Sequence, residues 1–93
     1  MKIKIIRAGI LEDFLTQSMY MDYNGNPFLE DLIDFLEKTK GPGIKEKILS
    51  GRELRDEITI LINSKSIKAS KKGLKSLIRN NDTIVFCLVI DSG

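Results

Sequence analysis

From Lys2 to Ile5 the chain alternates cationic and apolar positions, Lys2-Ile3-Lys4-Ile5, and then adds Ile6, the period of a strand with one buried face. A second alternation runs from Thr16 to Tyr23, with Met19, Met21 and Tyr23 on one side and Tyr20 and Asp22 on the other. The intervening Leu11 to Leu15 is short enough to join the two as a hairpin. From Phe28 the period lengthens. Phe28, Leu29, Leu32, Ile33, Phe35 and Leu36 recur at helical spacing, with Glu30, Asp31, Asp34, Glu37 and Lys38 outside them. Asn26 suits the N-cap and Pro27 the first helical position, where a missing N–H is harmless. Acidic residues lead this segment and Lys38 and Lys40 trail, matching the helix dipole, and Gly41-Pro42-Gly43 stops it. The spacing predicts a helix over 27–40.

Beyond the glycines, Ile44 to Ser50 has room for one or two further helical turns, with Ile44, Ile48 and Leu49 as apolar contacts. Asp56 to Asn63 carries Ile58, Ile60 and Ile62 on one face and Thr59 and Leu61 on the other, a strand. Asn63-Ser64-Lys65-Ser66 reads as a turn, with Ile67 opening a short edge strand, and Asn80-Asn81-Asp82 as another. Thr83 to Ile90 is a final strand, apolar on both faces: Ile84, Phe86, Leu88 and Ile90 one way, Val85, Cys87 and Val89 the other. Such a strand belongs inside a sheet, and its expected neighbour is the first strand, running parallel. One helix covers only one face. The larger set suits the helix side, which leaves Val85, Cys87 and Val89 as the candidate partner surface on the open side.

Composition narrows the function classes. Ninety-three residues are room for one domain, placed at 1–90 with 91–93 as a short tail. The longest apolar run, Ile84 to Ile90, is seven residues, against the roughly 20 a membrane helix needs. Charges at Lys2 and Lys4 sit where an export signal is apolar, so the expected compartment is cytoplasmic, with no membrane partner. A net charge of +2 does not by itself imply nucleic acid. The run Lys65, Lys68, Lys71, Lys72, Lys75, Arg79 contains no acid but also no aromatic, so it reads as a solvated loop rather than a nucleic-acid surface. The sequence has no histidine, one cysteine and no phosphate-binding glycine loop. That removes the usual general base, the histidine-activated nucleophiles and cysteine-based zinc or iron–sulfur sites. Cys87, within an apolar strand, reads as a small hydrophobe. The expectation is a carrier or binding module with no bound cofactor and no metal, rather than an enzyme.

The order strand, strand, helix, strand, short strand, strand, with a central last strand, corresponds to an α+β, ubiquitin-like β-grasp: a mixed sheet of four to five strands with one main helix on one face. The stretch Arg55-Asp56-Glu57-Ile58-Thr59-Ile60-Leu61-Ile62-Asn63-Ser64-Lys65-Ser66-Ile67, then Leu77-Ile78-Arg79-Asn80-Asn81-Asp82-Thr83-Ile84-Val85-Phe86 and the tail, resembles the MoaD/ThiS family of sulfur-carrier proteins. In that family a strand ends in an Asn-containing turn. A polar turn with an Asp follows, then an apolar strand and a Gly-Gly carboxyl end. This chain departs at one position, ending Ser92-Gly93 after Asp91. The resemblance implies that a ubiquitin-activating-type enzyme adenylates Gly93 with ATP and that the carboxylate becomes a thiocarboxylate. A synthase subunit then accepts the sulfur, for molybdopterin (molybdenum or tungsten cofactor) or thiamin thiazole. A protein modifier, or an interaction module with a degenerate tail, is the alternative.

Overall fold

The computed structural model describes residues 1–88. Strand β1 (Lys2–Ala8) turns back into β2 (Ser18–Asp22), and helix α1 (Leu29–Lys40) is followed by the short α2 (Ile44–Ile48). Two two-residue strands, β3 (Leu49–Ser50) and β4 (Glu53–Leu54), form a small separate hairpin. Then come β5 (Ile58–Ile62), β6 (Lys65–Ser66), two 3₁₀ turns at Ile67–Ala69 and Gly73–Lys75, and β7 (Thr83–Leu88). The main sheet has five strands in the order β2-β1-β7-β5-β6. β7 is central, parallel to β1 with Ile5 opposite Ile84, and antiparallel to β5 with Ile60 opposite Phe86.

The hydrophobic periods place the core. Ile3 and Ile5 of β1, Ile84 and Phe86 of β7, and Ile58 and Ile60 of β5 are buried against Leu29, Leu32, Ile33 and Leu36 of α1. The connection between β1 and β2 contributes as well, because Ile10, Leu11 and Leu15 turn inward to the same core. Every buried side-chain polar atom among the described residues has a partner. α2 is tied to α1 through Glu37, whose carboxylate accepts from the backbone N–H of Gly43 at 3.1 Å and of Lys45 at 2.9 Å. Gly41 and Gly43 break the helix with φ of 141° and 109°, and a Cβ at either would meet the Phe14 ring at 3.3 Å.

Several details differ from the sequence expectation. α1 starts at Leu29 rather than at Pro27, and its N-cap is Phe28. Residues 27 and 28 are instead held extended against the chain at 76–78. The Pro27 carbonyl accepts from Ile78 N–H at 2.9 Å, Leu29 N–H donates to Ser76, and Phe28 bridges Leu77. The Asp31 carboxylate, in place of Asn26, satisfies a helix-end donor by accepting from Phe28 N–H at 3.0 Å. Phe28 is consequently 42% exposed rather than part of the helix's buried face. The edge strand is Lys65–Ser66 and Ile67 begins a 3₁₀ turn, because Asn63 and Ser64 both take positive φ (50° and 73°). That is the geometry of a two-residue hairpin turn, so pairing resumes at once. Leu88 has the parity of the core set but is 43% exposed, standing beside Gly9 at the end of the sheet.

Candidate partner face and chain exit

Strand parity delivers Val85 and Cys87 to the sheet face opposite α1, where both are half-buried. The registers build rows around them. Ile6, Val85 and Leu61 form one row across β1, β7 and β5, and Ala8, Cys87 and Thr59 form the next. At the far end Tyr20 and Lys4 lie opposite each other, and Lys4 lies opposite Thr83. Tyr20 is 60% exposed, with Lys2 Nζ 4.6 Å and Lys4 Nζ 5.8 Å from its ring centroid. The face is thus a short apolar strip with an aromatic and cationic margin. The sequence pattern alone does not single out Ile6, Leu61 and Tyr20 as part of it. A signal is nonetheless present: Ile6 breaks the Lys2-Lys4 parity of its own strand, and Leu61 opposes Ile58, Ile60 and Ile62.

Cys87 is quiet chemically. Its thiol donates to the Thr59 carbonyl at 3.6 Å, and burial pushes its pKa up, with the Lys68 ammonium only partly opposing. The neighbouring Thr59 and Ser66 hydroxyls share a hydrogen bond at 3.1 Å.

β7 runs from a polar clamp to an open rim. At its start the Asn63 side chain bridges two turns, donating to Asp82 Oδ1 at 2.8 Å and accepting from Thr83 N–H at 3.0 Å. Asp82 Oδ2 accepts from Arg79 N–H at 2.8 Å. At its end Leu88 borders a cleft of about 400 Å3 that also touches Gly9, Leu11, Lys47 and Arg55. Val89, Ile90, Asp91, Ser92 and Gly93 lie outside the described residues. Among the described residues no group of His, Cys, Asp and Glu is arranged to hold a metal ion, and no helix is long and apolar enough to cross a membrane.

No protein-family model matches the sequence and no curated protein matches it. Solved structures do. The crystal structure of the BexX/CysO complex from Amycolatopsis orientalis is 20% identical over 98% of this chain and 99% of that one, with a TM-score of 0.79. SAMP1 from Haloferax volcanii is 18% identical over the whole of both chains, with a TM-score of 0.75. Urm1 from Trypanosoma brucei is 23% identical over 99% of this chain and 95% of that one, with a TM-score of 0.72. These neighbours are ubiquitin-like β-grasp proteins of the MoaD/ThiS sulfur-carrier and modifier type. Likeness at such identities speaks for architecture, and the mixed five-stranded sheet with its single main helix agrees with it: this chain has the ubiquitin-like β-grasp fold.

Proposed function

We propose that this chain is a carrier substrate whose Gly93 carboxylate is activated by a separate adenylating enzyme of the ubiquitin-activating type. The carboxylate attacks the α-phosphate of ATP, pyrophosphate leaves, and an acyl-adenylate forms at Gly93. Hydrosulfide-level sulfur from a donor then displaces AMP to give a terminal thiocarboxylate. A synthase subunit takes the sulfur for a pterin-bound molybdenum or tungsten cofactor, or for the thiazole of thiamin. The observation that carries this reading is the placement of β7: the central strand runs to Leu88 at the rim of the sheet, next to a face that α1 leaves uncovered. Gly93 has no Cβ beside the reacting carbon, and Ser92 adds only a hydroxymethyl. CysO, with the same fold, has been crystallised in complex with BexX, which supports a carrier that works by docking to a partner.

The test is pyrophosphate exchange with ATP and the activating enzyme from the protein's own source. Exchange should require Gly93, vanish on its deletion and persist or rise in Ser92→Gly. Wild-type chain that never forms an adenylate would overturn the proposal. A second reading, a protein modifier joined to target lysines through the same tail, is favoured by the neighbour named small archaeal modifier protein 1. The mass of the chain recovered from its native cells separates them: one oxygen replaced by sulfur for the carrier, higher-mass conjugates for the modifier.

A further inference from the structure

The strongest unexplained feature is a segregation of charge. Six of the fifteen Lys and Arg lie between Lys65 and Arg79, and no Asp or Glu occurs from Ile58 to Asn81. The rest of the chain then holds nine cations against thirteen acids. Little of this charge is answered internally. Lys75 pairs with Glu30 of α1, and Lys68 Nζ donates to the Asp56 carbonyl at 3.2 Å. Lys65, Lys71, Lys72 and Arg79 have no ion pair among the described residues.

The segment does not wander in solvent. Ile67 is buried beneath it, and its second 3₁₀ turn packs on α1. Between it and the β3–β4 hairpin lies a groove of about 1040 Å3. Leu49, Leu54, Ile67 and Leu74 contribute its apolar side chains, Arg52 and Lys68 two cations outside any ion pair among the described residues, and Glu53 one carboxylate likewise outside any ion pair. On the α1 side the Lys45–Asp34 and Lys75–Glu30 pairs cancel one another.

We propose that this groove docks an extended, acidic segment of a partner protein, with alternate side chains apolar. Arg52 and Lys68, with the exposed Lys71 and Lys72 beside the lining residues Ser70 and Gly73, outnumber Glu53 and call for carboxylates, and the leucines and Ile67 call for apolar side chains between them. The volume reaches the top of the range for small-molecule sites, about 300–1,000 Å3. Single-stranded nucleic acid fits less well, because no aromatic lines the groove for base stacking. The groove shares no lining residue with the Leu88 cleft, and only Lys68 also lies near the open sheet face, where it acts on Cys87. The groove is therefore free to engage a second protein while the tail is held elsewhere.

The experiment titrates a synthetic peptide alternating Asp or Glu with Leu into the ¹⁵N-labelled full chain. Amide shifts are expected to cluster at 49–54 and 67–75, leaving Ile6 and Val85 unmoved. Arg52→Glu with Lys68→Glu should weaken the peptide by about tenfold or more, as should higher salt. Lys71→Glu with Lys72→Glu, on exposed positions that bury nothing, should weaken it in the same direction. The wild-type amide spectrum, retained in both variants, certifies their fold. Absence of binding, shifts confined to the open sheet face, or unchanged affinity in both charge-reversed variants would overturn the proposal. So would tighter binding of poly(U) RNA than of the peptide at the same residues.

Discussion

Phe86 has no exposed surface and lies in register with Arg7 on one side and Ile60 on the other, at the middle of the central strand. Its removal leaves a cavity that α1 and the sheet cannot close without moving both. Phe86→Ala should cost about 3–5 kcal/mol, a large share of the roughly 5–15 kcal/mol that holds such a domain together. Urea unfolding monitored by circular dichroism measures it. One residue on, the strand turns its side chain to the other face, and the chemistry changes with it. The Cys87 thiol gives up its proton less readily than a solvated thiol because the thiolate would lose water. Its alkylation by iodoacetamide, followed against pH, should have a midpoint above that of a cysteine in a free peptide. A midpoint at or below the peptide's would assign Cys87 an activated role that the surroundings do not support. The sign for stability follows: the unfolded thiol ionises first, so the small contribution from the neutral buried thiol is present below the unfolded pKa and is lost as pH rises from there through the raised folded pKa.

At the level of elements, the Asn63–Asp82 clamp explains why the most family-like residues of the sequence are also structural ones. Asn63 closes the β5–β6 turn and at the same time fixes the first residue of β7. Asn63→Ala should lower stability by about 1–2 kcal/mol, the loss of two side-chain hydrogen bonds at a left-handed position. Ser64, at φ 73°, holds the position where this type of turn prefers glycine. Ser64→Gly should therefore raise the thermal midpoint, by a gain of up to about 1 kcal/mol once glycine's own entropy is set against the relieved strain. Strand and helix periods are legible in the chain because each buries one face of a regular element: Ile3 and Ile5, Ile58 and Ile60, Leu29 to Leu36. What is not legible depends on partners distant in sequence. The start of α1 is set by pairing with 76–78, which no local rule at Asn26 and Pro27 reports. The β3–β4 hairpin has two residues per strand, too few for a period to register. The open face is readable at Val85 and Cys87 through parity, but its neighbours Ile6 and Leu61 need the register between strands.

Taken whole, the molecule has one finished face and one unfinished one. Val85→Asp, between Ile6 and Leu61 on the uncovered side, should cost only about 1 kcal/mol in the urea midpoint, the scale of strand propensity. Its effect should fall on pyrophosphate exchange with the activating enzyme. Ile84→Asp, one residue away and buried, should prevent folding outright, since it places an unpaired charge in the core. If Val85→Asp unfolds the domain as well, that face is not available for docking. The topology also sets an order in time. β7 joins the β1–β2 hairpin to β5, and its partner β1 was synthesised roughly eighty residues earlier, among the longest-range pairings the chain allows. During translation the amino-terminal hairpin, the helix and β5 wait without the strand that unites them. A nascent chain halted at Arg79 should be degraded by a probing protease as readily as an unfolded one, and resistance should appear only once Leu88 has left the ribosome. Under the proposed function, an activating enzyme that recognises the assembled sheet therefore acts only on molecules in which β7 has joined β1 and β5.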